Sequence, residues 1–284
     1  MLSLLQLLVV VGGCAWLSVS HDLITVSSLN VTDLLVGLAL NTIALCLLGV
    51  RLMFVSIGVG LVASVRQFVR LTFQSIFYLF LLPLGLGMET ARYVGFRRLC
   101  PDAPRRQIVL GVLSDRGVGM VTSVCFAVVA WFGYRKLGVW LAIGSLGFLG
   151  VVGTLVFARM VAGVFWQLFK ALLISFVVHG LTCSAVYFLC CGLGLILDPW
   201  LVTLAISAAV FGAIIPLAIA GVQAGDFVAA GILTYLGVDG VAALTLASVY
   251  YLTRLQGALF GAVIEVKRSS LGLVEIWNSR EKGF

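Results

Sequence analysis

From residue 171 to residue 197 the chain carries no Asp, Glu, Lys or Arg, and comparable charge-free runs recur along its length. About 20 consecutive apolar residues cross the hydrocarbon core of a bilayer. Within that core only helices and closed barrels satisfy their own backbone groups. Composition removes the alternative of a soluble core. Only 10% of the 284 residues are charged, against about 25% in a soluble domain, so the chain cannot coat a water-facing surface. With 62% hydrophobic residues and a mean hydropathy of +1.19, it reads as an all-α polytopic membrane protein. Its 32 glycines suit helices that pack backbone to backbone in lipid.

Walking between charges gives the expected crossings. Residues 1–20 hold no acid or base, and no basic residue precedes the apolar run as a signal peptide needs, so a retained first helix is expected. The next span covers 32–50 and closes at Arg51. Spans follow at 117–134, opened by Asp115-Arg116, at 137–158 and at 171–197. The last, 240–264, carries Arg254 at its middle and is closed by Lys267-Arg268. These six full spans form one transmembrane domain over 1–268, with a short cytoplasmic tail over 269–284. Gly144, Gly147, Gly150 and Gly153 make a stripe for close helix contact, and Trp140, Trp166 and Trp200 suit the membrane interfaces.

Two other apolar stretches, 71–91 and 199–238, are broken. Each runs through a proline and a glycine-bearing turn to a carboxylate: Pro83, Gly85 and Gly87 before Glu89, then Pro216, Gly221 and Gly225 before Asp226. Proline removes a backbone donor and glycine permits the turn. Basic residues gather on the cytoplasmic side, which puts Arg51, Arg66 and Arg70, the arginine-dense 92–116 segment and the tail inside. Both flanks of 71–91 are then cytoplasmic, so that stretch enters and returns; 199–238 does the same from outside. Two re-entrant hairpins from opposite faces are the pattern of an inverted-repeat transporter around its substrate site. Eight spans with proline kinks are the alternative, and Arg135-Lys136, placed outside by this scheme, fits it badly.

The excess of 18 basic over 11 acidic residues meets lipid headgroups rather than nucleic acid, since no basic stripe with interleaved aromatics exists. The seven cysteines form no CxxC pair and the two histidines lie far apart, so no metal or other cofactor is expected. His179 reads as a hydrogen-bonded interior residue. Charges within the membrane need partners or water. Glu89 and Arg92, three residues apart, share a helical face and are placed to pair. Arg254 has no acidic neighbour in sequence, so its partner must come from another helix.

The run from Pro83 through Gly85, Gly87 and Glu89 to Arg92 resembles an "LPGxxGExxR" segment, with one residue inserted before the glutamate. Asp115-Arg116 followed by Gly117 and Gly119 resembles the acidic-Arg start of the helix after it. Ile215-Pro216 through Gly221 to Gly225-Asp226 resembles an "IPxxxGGxGxRE" turn, with Leu236-Gly237-Val238 and Arg254 following. These segments, from Arg51 to about Glu265, resemble the transmembrane region of lysylphosphatidylglycerol synthases and its stand-alone flippase-like relatives.

The resemblance implies a lipid flippase-like carrier, not an enzyme, in the cell inner (cytoplasmic) membrane. It would translocate a lipid with a charged, anionic or phosphate-bearing, headgroup. Its substrate-binding set would be Glu89, Arg92, Asp115, Arg116, Asp226 and Arg254, and its partners membrane lipids. Gly225 stands where the pattern has arginine and Asp226 where it has glutamate, which leaves the headgroup open. A membrane-embedded enzyme of lipid or glycan assembly, or a non-transporting scaffold partner of one, are the competing classes. A homo-oligomer is compatible with all three.

Overall fold

The computed structural model describes residues 30–82, 86–136, 165–215, 217–219 and 221–281, with side chains as far as Lys267. The expectations for 1–20 and 137–158, the glycine stripe, Trp140, Pro83, Gly85 and Pro216 lie outside those residues. Among the described residues the architecture is all-α, with eight helices and one two-stranded turn.

Helix α1 (Val31–Gly58) starts at Asn30, whose side-chain oxygen accepts the N–H groups of Thr32 and Asp33, two of the donors a helix start leaves unpaired. It runs antiparallel to α5 (Phe165–Gly192): Gly37 packs on Leu189 and Gly192 on Leu34. Between them in sequence come α2 (Val65–Leu81), α3 (Gly87–Leu99) and α4 (Arg105–Tyr134). After α5 come α6 (Pro199–Gly212), strands β1 (Ala218–Ile219) and β2 (Val222–Gln223), α7 (Ala224–Tyr235) and α8 (Gly240–Glu281).

Among the described residues three helices, α1, α4 and α5, are long and apolar enough to cross a membrane. Two boundaries differ from those expected. Arg51 does not close the first span, because α1 continues through it to Gly58. Asp115-Arg116 does not open a helix; α4 begins at Arg105 and carries the pair in its interior. In both cases a charge is held inside the bundle by another element, so it no longer marks a membrane boundary. Helix α8 likewise continues past Lys267-Arg268 to Glu281.

Both broken stretches are interrupted. Helix α2 opens with a Ser64/Gln67 capping box and stops at Leu81, and α3 starts at Gly87. Gly87 lies on Tyr78 while Gly95 lies on Leu71, so α3 runs back along α2. Helix α6 opens on Asp198, whose carboxylate accepts the Trp200 N–H at 2.8 Å, with Pro199 in its first turn. Past Gly212 the chain makes a short antiparallel turn, pairing Ala218 with Gln223 and Ile219 with Val222, and α7 returns. Gly221 at that turn has φ +84°, a conformation that favours glycine.

The bases of the two hairpins sit at opposite ends of the bundle. Val59 and Leu61, after α1, cluster with Phe68 of α2, Phe96 of α3 and Ile108 of α4. At the other end Leu34, Tyr134 and Leu193 surround Leu201 of α6, Leu233 of α7 and Ala243 of α8. The tips meet midway: Ile76, Leu79 and Phe80 pack with Ala218 against Tyr251 and Ala258 of α8, and Gly221 seats on the Phe80 ring. The base of the first hairpin is strongly basic. Arg66, Arg70, Arg97, Arg98, Arg105 and Arg106 are all exposed there, and Arg97 donates to the Ala103 carbonyl at 3.0 Å. Asp198, Asp239 and the Arg135-Lys136 pair lie exposed toward the opposite end.

Gly87 and Gly225 do not form the turns. They begin the returning helices, where they let two backbones touch. A Cβ on Gly87 would sit 2.1 Å from the Tyr78 carbonyl oxygen, and one on Gly225 2.0 Å from that of Ala209. Neither backbone can yield cheaply, so Gly87→Ala and Gly225→Ala should each cost about 1–3 kcal/mol, as overpacking does. Gly231, in α7 with nothing near its missing Cβ, is the control: Gly231→Ala should be neutral or stabilising by about 0.5–1 kcal/mol. Melting curves in detergent check the contrast.

Candidate functional site

A cavity of about 240 Å³ lies where the two hairpin tips, α1, α4, α5 and α8 converge. Its polar lining is built from three ion-paired groups. At its deepest point the Asp115 carboxylate is only 1% exposed. Arg51 grips it through both oxygens, Nε and Nη2 each at 2.9 Å, while Arg92 Nη1 donates to Oδ2 at 2.6 Å. Arg51 also donates to the Ser175 hydroxyl at 3.2 Å, so one carboxylate ties α1, α3, α4 and α5 together. This triad gives each buried charge an opposite partner.

The second group joins the hairpins. Arg116 of α4 donates to the Glu89 carboxylate near the start of α3 and to the Ala213 carbonyl beyond the end of α6. It is the most open of the three, with Glu89 and Arg116 side chains 27% and 29% exposed. The third belongs to the second hairpin and α8. Arg254 Nη2 donates to both Asp226 oxygens at 2.7 and 2.6 Å, Nη1 donates to Gln223 Oε1 at 3.0 Å, and the guanidinium stacks 4.6 Å over Tyr250. The Gln223 N–H also donates to Asp226 at 2.8 Å, so one carboxylate starts α7 and pairs with α8.

Four arginines therefore face three carboxylates across one small space. Among the described residues three of these side chains keep a buried polar atom without a hydrogen-bond partner: Arg92 Nε, Arg254 Nε and Glu89 Oε2. Leaving such atoms dry and unpaired costs about 1–3 kcal/mol each, more for charged groups. Both α3 and α7 start at the hairpin tips, and helix N-termini add positive potential there. The arrangement can receive an anion with some hydrogen-bond acceptors to spare.

Five of the six residues read as substrate-binding, Glu89, Arg92, Asp115, Arg116 and Arg254, line the cavity; Asp226 stands behind Arg254 as its counter-ion. The expected pairing of Glu89 with Arg92 is not formed. Closing the hairpin turns both residues toward α4, where Glu89 takes Arg116 and Arg92 takes Asp115. Arg254 finds its partner on another helix, as its isolation in sequence requires. Arg51, Asn41 and Gln223 also line the cavity, without having been expected there from sequence. Arg51 is flanked on both sides by apolar sequence, the same signal that singled out Arg254. Asn41 ties α1 to α8, donating to the Thr253 carbonyl at 2.9 Å and to Gln256 at 2.7 Å. His179 also lines the cavity; it is buried and shares a 2.9 Å hydrogen bond with the Ser207 hydroxyl. No group of three His, Cys, Asp or Glu side chains able to hold a metal occurs among the described residues. No protein-family model and no curated protein sequence matches the chain.

Proposed function

We propose that the protein is a carrier that moves a lipid with an anionic or phosphate-bearing headgroup between the leaflets of the cytoplasmic membrane. In this reading the two hairpins are re-entrant halves of an inverted repeat, set among six full spans. The observation that carries it is the surplus of cation over carboxylate in the cavity, with guanidinium nitrogens buried and unpaired, at the one place where two broken helices meet. Irregular backbone at membrane depth is tolerated where it is buried in protein or lines a wet cavity, and transporters use such breaks to hold substrate near the midplane. Asp115, held by two arginines, fixes the frame. Glu89–Arg116, the most exposed pair, is the gate through which a headgroup phosphate reaches Arg92 and Arg254. Opening one hairpin at a time exposes the cavity to one leaflet at a time. The resemblance of the broken segments to flippase-like membrane proteins points the same way.

The test is a translocation assay in proteoliposomes with head-labelled phosphatidylglycerol and a neutral glycolipid of the same acyl chains. Protein should accelerate the anionic lipid over protein-free vesicles and leave the neutral one near background. Equal rates with and without protein contradict the carrier reading, as an enzyme or scaffold would give. Orientation has its own check. In a cysteine-free background, a cysteine at Arg105 should be reached by an impermeant maleimide only from the cytoplasmic side, and one at Asp239 only from outside. The reverse pattern inverts the topology.

A further inference from the structure

The first hairpin is a thin wall. Glu89 and Arg92 of α3 face the cavity between the tips, while Ala91, Val94 and Arg98 line a separate groove of about 890 Å³ on its other side. We infer that this groove seats one anionic phospholipid by its headgroup and the start of an acyl chain, from the leaflet at the basic end of the bundle. Its headgroup end is cationic: Arg70 of α2, Arg98 of α3 and Lys267 of α8 border it, against one carboxylate, Glu265, that already accepts a 3.2 Å hydrogen bond from Gln74. Its floor is apolar, with Leu71, Val94 and Ile264 from the same three helices. Basic side chains at a membrane surface attract acidic lipid, but scattered charge holds no particular molecule. Here cations from three elements border one groove together with apolar side chains of the same helices, which matches a phosphodiester joined to an acyl chain. The volume lies within the usual range for small-molecule sites. The site is separate from the carrier cavity and does not depend on transport.

Native mass spectrometry of the purified protein, equilibrated with an equimolar mixture of phosphatidylglycerol and phosphatidylcholine of identical chains, reads the site directly. The wild type should retain one phospholipid with a preference of at least about tenfold for the anionic one, given three bordering cations. The variant Arg70→Gln, Arg98→Gln, Lys267→Gln should lose that preference. Thr90→Trp, an exposed groove position, should expel the lipid while leaving every charge in place. Removing equal charge outside the groove, by Arg66→Gln, Arg105→Gln and Arg106→Gln, should change little. An undiminished anionic preference in the groove triple variant, retention of the lipid by Thr90→Trp, or equal loss of preference on the Arg66, Arg105 and Arg106 variant would overturn the assignment.

Discussion

Asp115→Ala should yield almost no folded protein. The carboxylate is the sole acidic partner among the described residues for both Arg51 and Arg92, and all three side chains are less than a tenth exposed. Removing one member of a buried pair costs about 3–5 kcal/mol, because the other charge is left uncompensated. Here two cations lose their partner at once and repel each other across the gap. The loss reaches the top of that range, against a whole-protein stability of about 5–15 kcal/mol. Recovery of monodisperse protein in detergent and its melting temperature measure the effect. Asp115→Glu, which keeps the charge, should recover part of the yield. A well-folded Asp115→Ala protein with a melting temperature near that of the wild type would show that the triad is not the frame of the bundle.

The sequence carried the class of fold because that depends on composition: too few charges to face water, and apolar runs of membrane length. It also carried the two interruptions, since proline and glycine act on their own backbone. It did not carry the partners of the charges. The three-residue spacing of Glu89 and Arg92 describes neighbours on one isolated helix, whereas folding lays α3 against α4 and offers each a stronger partner on another element. Arg51 misled for a related reason. A lone arginine at the end of an apolar run reads as a boundary until its acid, 64 residues away, is brought beside it. The packing role of Gly87 and Gly225 was also hidden, because close approach of two backbones is a property of the closed hairpin.

In the proposed carrier the cavity between the hairpin tips holds the headgroup, and Arg254 is the residue that separates this from a purely structural ion pair. Arg254→Ala alone would strand the Asp226 carboxylate, so a loss of activity could reflect unfolding. The paired change Arg254→Gln, Asp226→Asn removes both charges together and keeps amides that can still hydrogen-bond to each other and to Gln223, so the fold should survive. It leaves the cavity without the cation nearest the second hairpin. Losing one buried charge contact to an anion costs at least about 2 kcal/mol, or about thirtyfold in affinity. The decisive measurement is the initial rate of phosphatidylglycerol translocation in proteoliposomes by this double variant, reconstituted from monodisperse fractions whose melting temperature matches the wild type. The cavity account predicts a rate at least about tenfold lower, with part of it restored by Arg254→Lys on the native Asp226 background. Wild-type translocation by the folded double variant would contradict it and leave Arg254 and Asp226 as a structural tie between α7 and α8.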